Sequence, residues 1–230
     1  RQAGEWTPPD NRAFKIGSYV DCALTTPALF TAYVEANADD IFKTRTDKKT
    51  GAVTRTGKYA DFELADTMID RLLKDPGGNA FLTHEKLQGQ VIVTGEIEGV
   101  KWKGCIDLLI PDPDGKTGLL IDLKTAASFA DDWIRIVDPI TGTSRNIKAA
   151  FYEKWNYWRQ LAIYRELARQ DLGLDCELYI LGVSKQDPPD IGMWYFENED
   201  RLAAELYAVK EAQTRVMQLK TGVEPVTGCN

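Results

Sequence analysis

Two short segments place charged side chains inside apolar, strand-like sequence. Asp107 ends the segment Gly-Cys-Ile-Asp, and Asp122 and Lys124 belong to the segment Ile-Asp-Leu-Lys-Thr. Side chains alternate between the faces of a strand, so Asp122 and Lys124 project from one face. The apolar residues that alternate with them are expected to face a core: Leu119, Ile121 and Leu123. Burying Asp and Lys in such a strand is costly unless they are paired or bind a ligand.

A turn at 111–115, rich in Pro, Asp and Gly, separates the two segments and predicts a hairpin. Asp107 and Asp122 then converge, and paired carboxylates are oxygen ligands that suit Mg²⁺. Such a metal stabilises charge on a phosphate and helps to form hydroxide. Lys124 beside it could orient or deprotonate the attacking water, or neutralise developing negative charge. The alternative is a partly buried Asp122–Lys124 salt bridge with Asp107 near the turn, and these residues alone leave it open.

A third polar group lies on the following predicted helix. Gln160 and Tyr164 are four residues apart, which puts both on one helix face among apolar neighbours. This pattern is typical of a helix that presents hydrogen-bonding groups to a site. An ordinary amphipathic helix would show it as well.

The hydrophobic period predicts the elements that must position these residues. Helices are expected over 14–36 with an interruption at Pro27, and over 59–74, 151–172 and 198–221, the last with Asn198 as N-cap. Strands are expected over 90–98, 100–110, 118–125, 177–183 and 192–196. This order predicts an α/β fold with a mixed central β-sheet flanked by helices. We divide the chain into a flexible lead-in (1–13), a single domain (14–222) and a C-terminal tail (223–230).

Charge and composition narrow the function classes. The net charge of −7 argues against a protein coated with basic residues for nucleic acid. Residues 43–58 carry six basic side chains and one acidic one, and they predict a mobile loop, either simply solvated or able to touch phosphates. The longest apolar runs are too short for a transmembrane helix, so no membrane partner is expected.

The four cysteines are far apart, at positions 22, 105, 176 and 229, and no two form a Cys-x-x-Cys pair. This spacing predicts neither a zinc site nor an iron–sulfur cluster. It also favours a reducing compartment over a disulfide scaffold. We interpret Cys105 as a core residue and assign no role to the single histidine, His84.

The order of the three motifs resembles the PD-(D/E)xK nucleases, in their RecB-like branch. The resemblance implies a restriction-endonuclease-like core and a catalytic set made of Asp107, Asp122, Lys124, Gln160 and Tyr164. The implied metal site comprises Asp107, Asp122 and Leu123, with Mg²⁺ as the cofactor and Mn²⁺ as a substitute. Gln160 and Tyr164 are expected to border that site.

The segment that begins Ile-Gly-Ser-Tyr-Val-Asp at residue 16 resembles the start of the nuclease domain of RecE-type phage exodeoxyribonucleases. Asp21 stands where that family has a metal-binding His. The resemblance therefore implies Asp21 as a further metal ligand, since Asp also offers oxygen, although a plain helix-surface Asp is an open alternative. Strand-like sequence over 178–183 and 193–196 resembles the end of the same domain.

The resemblance implies a function and partners. RecE-type enzymes degrade one strand of linear duplex DNA from its 5′ end in phage recombination, so duplex DNA ends, a single-strand annealing protein and a ring-shaped homo-oligomer are expected. The location would be the cytoplasm of a bacterium or phage-infected host cell. Basic residues near the predicted long helix are candidate DNA contacts: Lys148, Lys154 and Arg159. Most aromatic residues there, including Trp155 and Trp158, are expected in the core.

Residues 131–147 are expected to form a loop-like flap at the DNA channel.

Two alternatives to the exonuclease remain. One is an endonuclease or another DNA-processing nuclease of the superfamily, although adaptation nucleases of this branch bind an iron–sulfur cluster for which these cysteines are wrongly spaced. The other is a non-catalytic DNA-binding module that retains the fold. An acidic outer surface with local basic contacts, and weak DNA affinity without metal, are expected in the leading case.

Overall fold

A computed structural model describes residues 11–137 and 141–224 of the chain. Most of the predicted lead-in, Cys229 and most of the predicted tail lie outside the described residues. The helices are α1 (Arg12–Thr25), α2 (Pro27–Ala36), α3 (Ala38–Ile41), α4 (Ala60–Lys74), α5 (Pro76–Leu82), α6 (Phe151–Lys154), α7 (Tyr157–Leu172) and α8 (Glu199–Thr221). The strands are β1 (Phe42–Thr46), β2 (Val53–Lys58), β3 (Gln88–Ile97), β4 (Val100–Pro111), β5 (Thr117–Ala126), β6 (Asp132–Val137), β7 (Ser144–Ala149), β8 (Asp175–Ser184) and β9 (Ile191–Tyr195).

Five strands form the central sheet in the order β3-β4-β5-β8-β9. Every neighbouring pair is antiparallel except β5 and β8, which are parallel. A parallel pair needs a long crossover, and the segment between these strands supplies one that contains α7. The predicted mixed sheet is therefore confirmed, as is the α/β class.

Helices cover both faces of this sheet. On one face, α1 and α4 pack their apolar side chains, among them Tyr19 and Met68, against Leu108 and Ile121. On the other face, α7 and α8 pack against alternate residues of the same strands. Burial of both faces explains why β5 and β8 are nearly continuous in apolar sequence. It also means that any charged residue in the middle of β5 is removed from water.

The expectation of loops is wrong in two places, where the structure has paired strands. Residues 42–58 form the antiparallel hairpin β1–β2, whose turn is closed by Asp47 Oδ1, which accepts from the backbone nitrogens of Lys49 and Thr50. Residues 132–137 and 144–149 form a second antiparallel pair of strands, β6 and β7. Both segments are rich in Thr, Val, Ile or Trp, residues that favour strands, and this preference outweighs their charge.

The predicted continuous helix over 151–172 is also wrong in detail. It is broken between α6 and α7 at Asn156, whose φ of 56° is left-handed, a conformation that Asn tolerates better than most residues. The break turns Trp155 outward, so that it is 61% exposed and does not share a buried face with Trp158. Other predicted elements are confirmed, including the N-cap, where Asn198 Oδ1 accepts from the Arg201 nitrogen. Among the helices described, none has both the length and the apolar character to cross a bilayer.

Candidate active site

The strands β4 and β5 bring Asp107 and Asp122 together. Leu108 pairs with Ile121 in the antiparallel ladder, which places the two aspartates side by side one step further along. Their carboxyl groups are close enough to share a hydrogen bond. Asp107 Oδ2 also accepts from the Leu123 nitrogen at 2.9 Å, so that backbone and side chain together fix its position. The hairpin expected from the turn at 111–115 thus does converge the two carboxylates.

Asp122 is the most deeply buried member of the site, with 1% of the residue exposed. Its Oδ1 accepts from Gln160 Nε2 at 3.1 Å. Its Oδ2 is buried and, within residues 11–137 and 141–224, has no hydrogen bond of normal geometry. The ammonium group of Lys124 lies 2.5 Å from that same oxygen and 4.9 Å from the centre of the Tyr157 ring. The cation that this oxygen faces in the structure is thus the ammonium group of Lys124.

The helix α7 borders the carboxylates as the sequence indicated. Gln160 donates to Asp122 and also lies 3.2 Å from the Tyr164 hydroxyl. Gly104, the first residue of the Gly-Cys-Ile-Asp motif, allows the close approach, because a Cβ there would lie 3.0 Å from carbons of the Tyr164 ring. Tyr157, at the start of α7, was not singled out from the sequence, where it looked like one more core aromatic.

Asp21 reaches the site from α1, which packs on the face of the sheet opposite to α7. It accepts from Gln90 Nε2, which lies 3.2 Å from Oδ1 and 3.0 Å from Oδ2. The Gln90 side chain also contacts Asp107 and accepts from Cys105 Sγ at 3.1 Å. Cys105 is therefore a half-buried partner of the site and not a plain core residue. Gln90 escaped sequence analysis, because a Gln at the start of a strand carries no motif.

Burial raises the pKa of all three carboxyl groups, and repulsion by Asp107 adds to the shift at Asp21 and Asp122. Burial raises the pKa of Asp21 to about 7, helped by the charge of Asp107 and opposed by Lys124. Burial also raises the pKa of Asp122 to about 7, with Lys124 opposing and Asp107 adding to the shift. The pKa of Asp107 is raised by burial against the pull of Lys124. One lysine thus faces three carboxylates, and a bound divalent cation would relieve the excess negative charge.

The donor set fits a hard divalent cation at Asp107 and Asp122. Both are oxygen donors, and one oxygen of Asp122 is buried without a good hydrogen bond. The Leu123 side chain is packed in the core, so only its backbone could take part. In the part of the chain that the structure describes, no three His, Cys, Asp or Glu side chains are grouped tightly enough to hold a metal. Asp21 feels the charge of Asp107, and Gln90 links the two side chains.

The predicted DNA contacts occupy different settings. Lys154 forms an ion pair with Asp132, the first residue of β6. Arg159 is bound to Glu205 of α8 at 3.0 Å. Lys148 is exposed on β7 and pairs in register with Trp133, which is itself 62% exposed. Lys154 also lies 5.6 Å from the centre of the exposed Trp155 ring. Of these three cations, Lys148 is the one that forms no ion pair within residues 11–137 and 141–224.

A mixed sheet covered by helices, with two aspartates and a lysine on its central strands, defines a PD-(D/E)xK-like nuclease fold. The chain belongs to the family described as "PDDEXK-like domain of unknown function (DUF3799)", whose family model matches residues 1–230. The predicted membership of the PD-(D/E)xK superfamily is confirmed.

The chain is also similar to a solved structure described as "Putative exonuclease" from Eubacterium rectale. The two are 28% identical with a TM-score of 0.72, over 94% of this chain and 70% of that chain. A second solved structure, SSO0001, is 17% identical with a TM-score of 0.30 and carries no argument. The chain matches none of the curated proteins with which it was compared. Family and structural neighbour together support a nuclease.

Proposed function

We propose that this protein is a Mg²⁺-dependent exodeoxyribonuclease that degrades one strand of linear duplex DNA from its 5′ end. The observation that carries the proposal is the buried Asp107–Asp122 pair with Lys124 at 2.5 Å from Asp122. The similarity to a solved structure described as a "Putative exonuclease" supports the exonucleolytic form. The resemblance to RecE-type domains supports the 5′ end, the linear duplex and a role in phage-type recombination.

The chain supplies defined groups for hydrolysis of a phosphodiester. Water adds to phosphorus, one P–O ester bond breaks, and the departing sugar oxygen takes up a proton. A divalent cation bound by Asp107 and Asp122 would stabilise charge on the phosphate and lower the pKa of water. Lys124 Nζ is placed to donate to a phosphate oxygen or to orient the water, and the Tyr157 ring holds it in place. Gln160 fixes Asp122 through its Nε2.

The decisive assay compares linear duplex DNA with covalently closed circular DNA in Mg²⁺. Linear DNA labelled on the 5′ end should release labelled nucleotide early, whereas the same DNA labelled on the 3′ end should release it late. The Asp107→Asn variant should be inactive on both and serves as the control for contaminating nuclease. Cleavage of the closed circle would favour the endonuclease instead. Metal binding with no cleavage of any DNA would favour the non-catalytic module.

We also propose, from the same resemblance, a ring-shaped homo-oligomer in the cytoplasm that hands its single-stranded product to an annealing protein. Light scattering coupled to gel filtration measures the assembly. A single mass equal to one chain at micromolar concentration would contradict the ring. Co-purification with an annealing protein encoded beside it would support the partner.

A further inference from the structure

Gln90 occupies a break in the sheet next to the site. The ladder between β3 and β4 pairs Gly89 with Leu108 and Val91 with Ile106, but it skips Gln90 and Asp107 between them. Gln90 has a φ of 53°, which is left-handed and costs a non-glycine residue about 1–2 kcal/mol. A strained residue in an otherwise regular strand needs a compensating contact, and its side chain makes several.

Those contacts join the two faces of the sheet. Gln90 Nε2 donates to both oxygens of Asp21 and lies 3.3 Å from Thr25 Oγ1, one helical turn further along α1. The same side chain contacts Asp107. Its Oε1 accepts from Cys105 Sγ, which fixes which end of the amide faces Asp21. The Gln90 amide is therefore the bridge between the carboxylate of α1 and that of β4.

The neighbouring glycine lets this bridge form. A Cβ at Gly89 would lie 1.7 Å from the Thr25 carbonyl oxygen, so the end of α1 rests directly on β3. Any side chain at position 89 would push α1, and Asp21 with it, away from Gln90. Gly89 and Gln90 thus act together: one admits the helix and the other holds its carboxylate.

We propose that Gln90 is a positioning residue that holds Asp21 ready to complete a divalent-metal site begun by Asp107 and Asp122. This inference rests on the proposed metal-dependent function. Gln90 donates to Asp21 and also contacts Asp107, so that one side chain links the two carboxylates. Partners that orient metal ligands typically change metal affinity about 10–100-fold when they are removed.

The strain at Gln90 allows a test that separates positioning from folding. Gln90→Gly removes the bridging amide but relieves the left-handed backbone, so its melting temperature should stay within about 3 °C of wild type. Gln88→Ala, on the same strand but exposed, is the matched control. Mn²⁺ binding to the whole protein is measured by calorimetry without DNA. We expect Gln90→Gly to weaken Mn²⁺ binding about 10-fold or more, and Gln88→Ala to leave it unchanged.

Activity gives a second readout. The Mg²⁺ concentration for half-maximal cleavage should rise in Gln90→Gly, while the rate at saturating Mg²⁺ recovers most of the wild-type value. A merely structural role would lower the rate at all Mg²⁺ concentrations. Equal Mn²⁺ affinity in wild type and Gln90→Gly overturns the inference and leaves the nuclease intact if DNA is still cleaved. If wild type binds Mn²⁺ and the variant binds it weakly, but neither cleaves DNA, the nuclease proposal falls and the role of Gln90 stands.

Discussion

Replacing Asp122 by Asn should stabilise the metal-free protein at alkaline pH while removing its activity. Asn keeps the shape of the side chain, and its oxygen can still accept from Gln160 Nε2. What it removes is a negative charge that is buried beside Asp107. The ionised form of Asp122, which the proposed chemistry needs, therefore lowers the stability of the folded protein.

The magnitude follows from the perturbed carboxyl group. The pKa of Asp122 rises from 3.8 to about 7, because burial and Asp107 disfavour the charged form. Each pKa unit corresponds to about 1.4 kcal/mol, so ionised Asp122 costs at most about 4 kcal/mol of folding free energy. The variant leaves Lys124 without its nearest partner, which offsets part of this gain. A net gain of about 2 kcal/mol corresponds to about 4–8 °C in melting temperature for a domain of this size.

The pH dependence has a defined sign. The folded pKa is raised above the unfolded value, so the native state binds more protons and wild-type stability falls as pH rises from about 4 to about 7. Asn does not titrate. The advantage of Asp122→Asn should therefore be smallest near pH 4, grow as the pH rises to about 7 and be complete at pH 8.

Melting temperatures measured in EDTA from pH 5 to pH 8 test this reasoning. Asp39→Asn, at an exposed position, is the matched control and should shift the melting temperature by less than about 1 °C at every pH. Adding Mg²⁺ at pH 8 should raise the melting temperature of wild type and narrow its gap to Asp122→Asn. The reasoning would be refuted if Asp122→Asn were less stable than wild type at pH 8. It would also be refuted if the difference in melting temperature did not change with pH, because the buried charge of Asp122 would then not destabilise the fold.

Three further predictions test other contacts. Lys124→Met should lower the cleavage rate by at least about 100-fold, measured by steady-state kinetics. Its Mn²⁺ affinity, measured by calorimetry, should be largely kept, and near-wild-type cleavage would contradict the proposed role of Lys124 in catalysis. Lys148→Ala should weaken DNA binding and lower the slope of the logarithm of the binding constant against the logarithm of the salt concentration by about one charge, as measured by fluorescence anisotropy. Arg159→Ala should chiefly lower the melting temperature, because Arg159 is bound to Glu205. Gly104→Ala should displace Tyr164, since the new Cβ would lie 3.0 Å from its ring; we expect lower activity, and an unchanged enzyme would show that the helix can shift freely.

Regular elements were predictable wherever one physical signal dominated. The central strands and the helices over 60–74 and 199–221 follow from hydrophobic period, since burial on one or two faces leaves a repeating pattern. The hairpin β1–β2 and the strand pair β6 and β7 were missed because charge and Gly suggested loops, whereas strand propensity decided the structure. The break at Asn156 was missed because a single left-handed residue leaves no periodic trace.

The sequence by itself determined where the charged residues of the central strands lie relative to one another. A period of two places Asp122 and Lys124 on one face, and a turn between two strands returns Asp122 to Asp107. Both relations are local, so they survive any arrangement of the rest of the chain. The motif order also determined the family, which the match to residues 1–230 confirms.

Only the tertiary structure decided how the other groups meet this pair. Asp21 and Gln90 are 69 residues apart and come together because the end of α1 rests on Gly89. Whether a cation is exposed, like Lys148, or ion-paired, like Arg159, depends on partners from distant elements. Such contacts depend on how the helices pack on the sheet. The hydrophobic period of an element predicts which face it buries, but not the distance and angle at which it packs against another element.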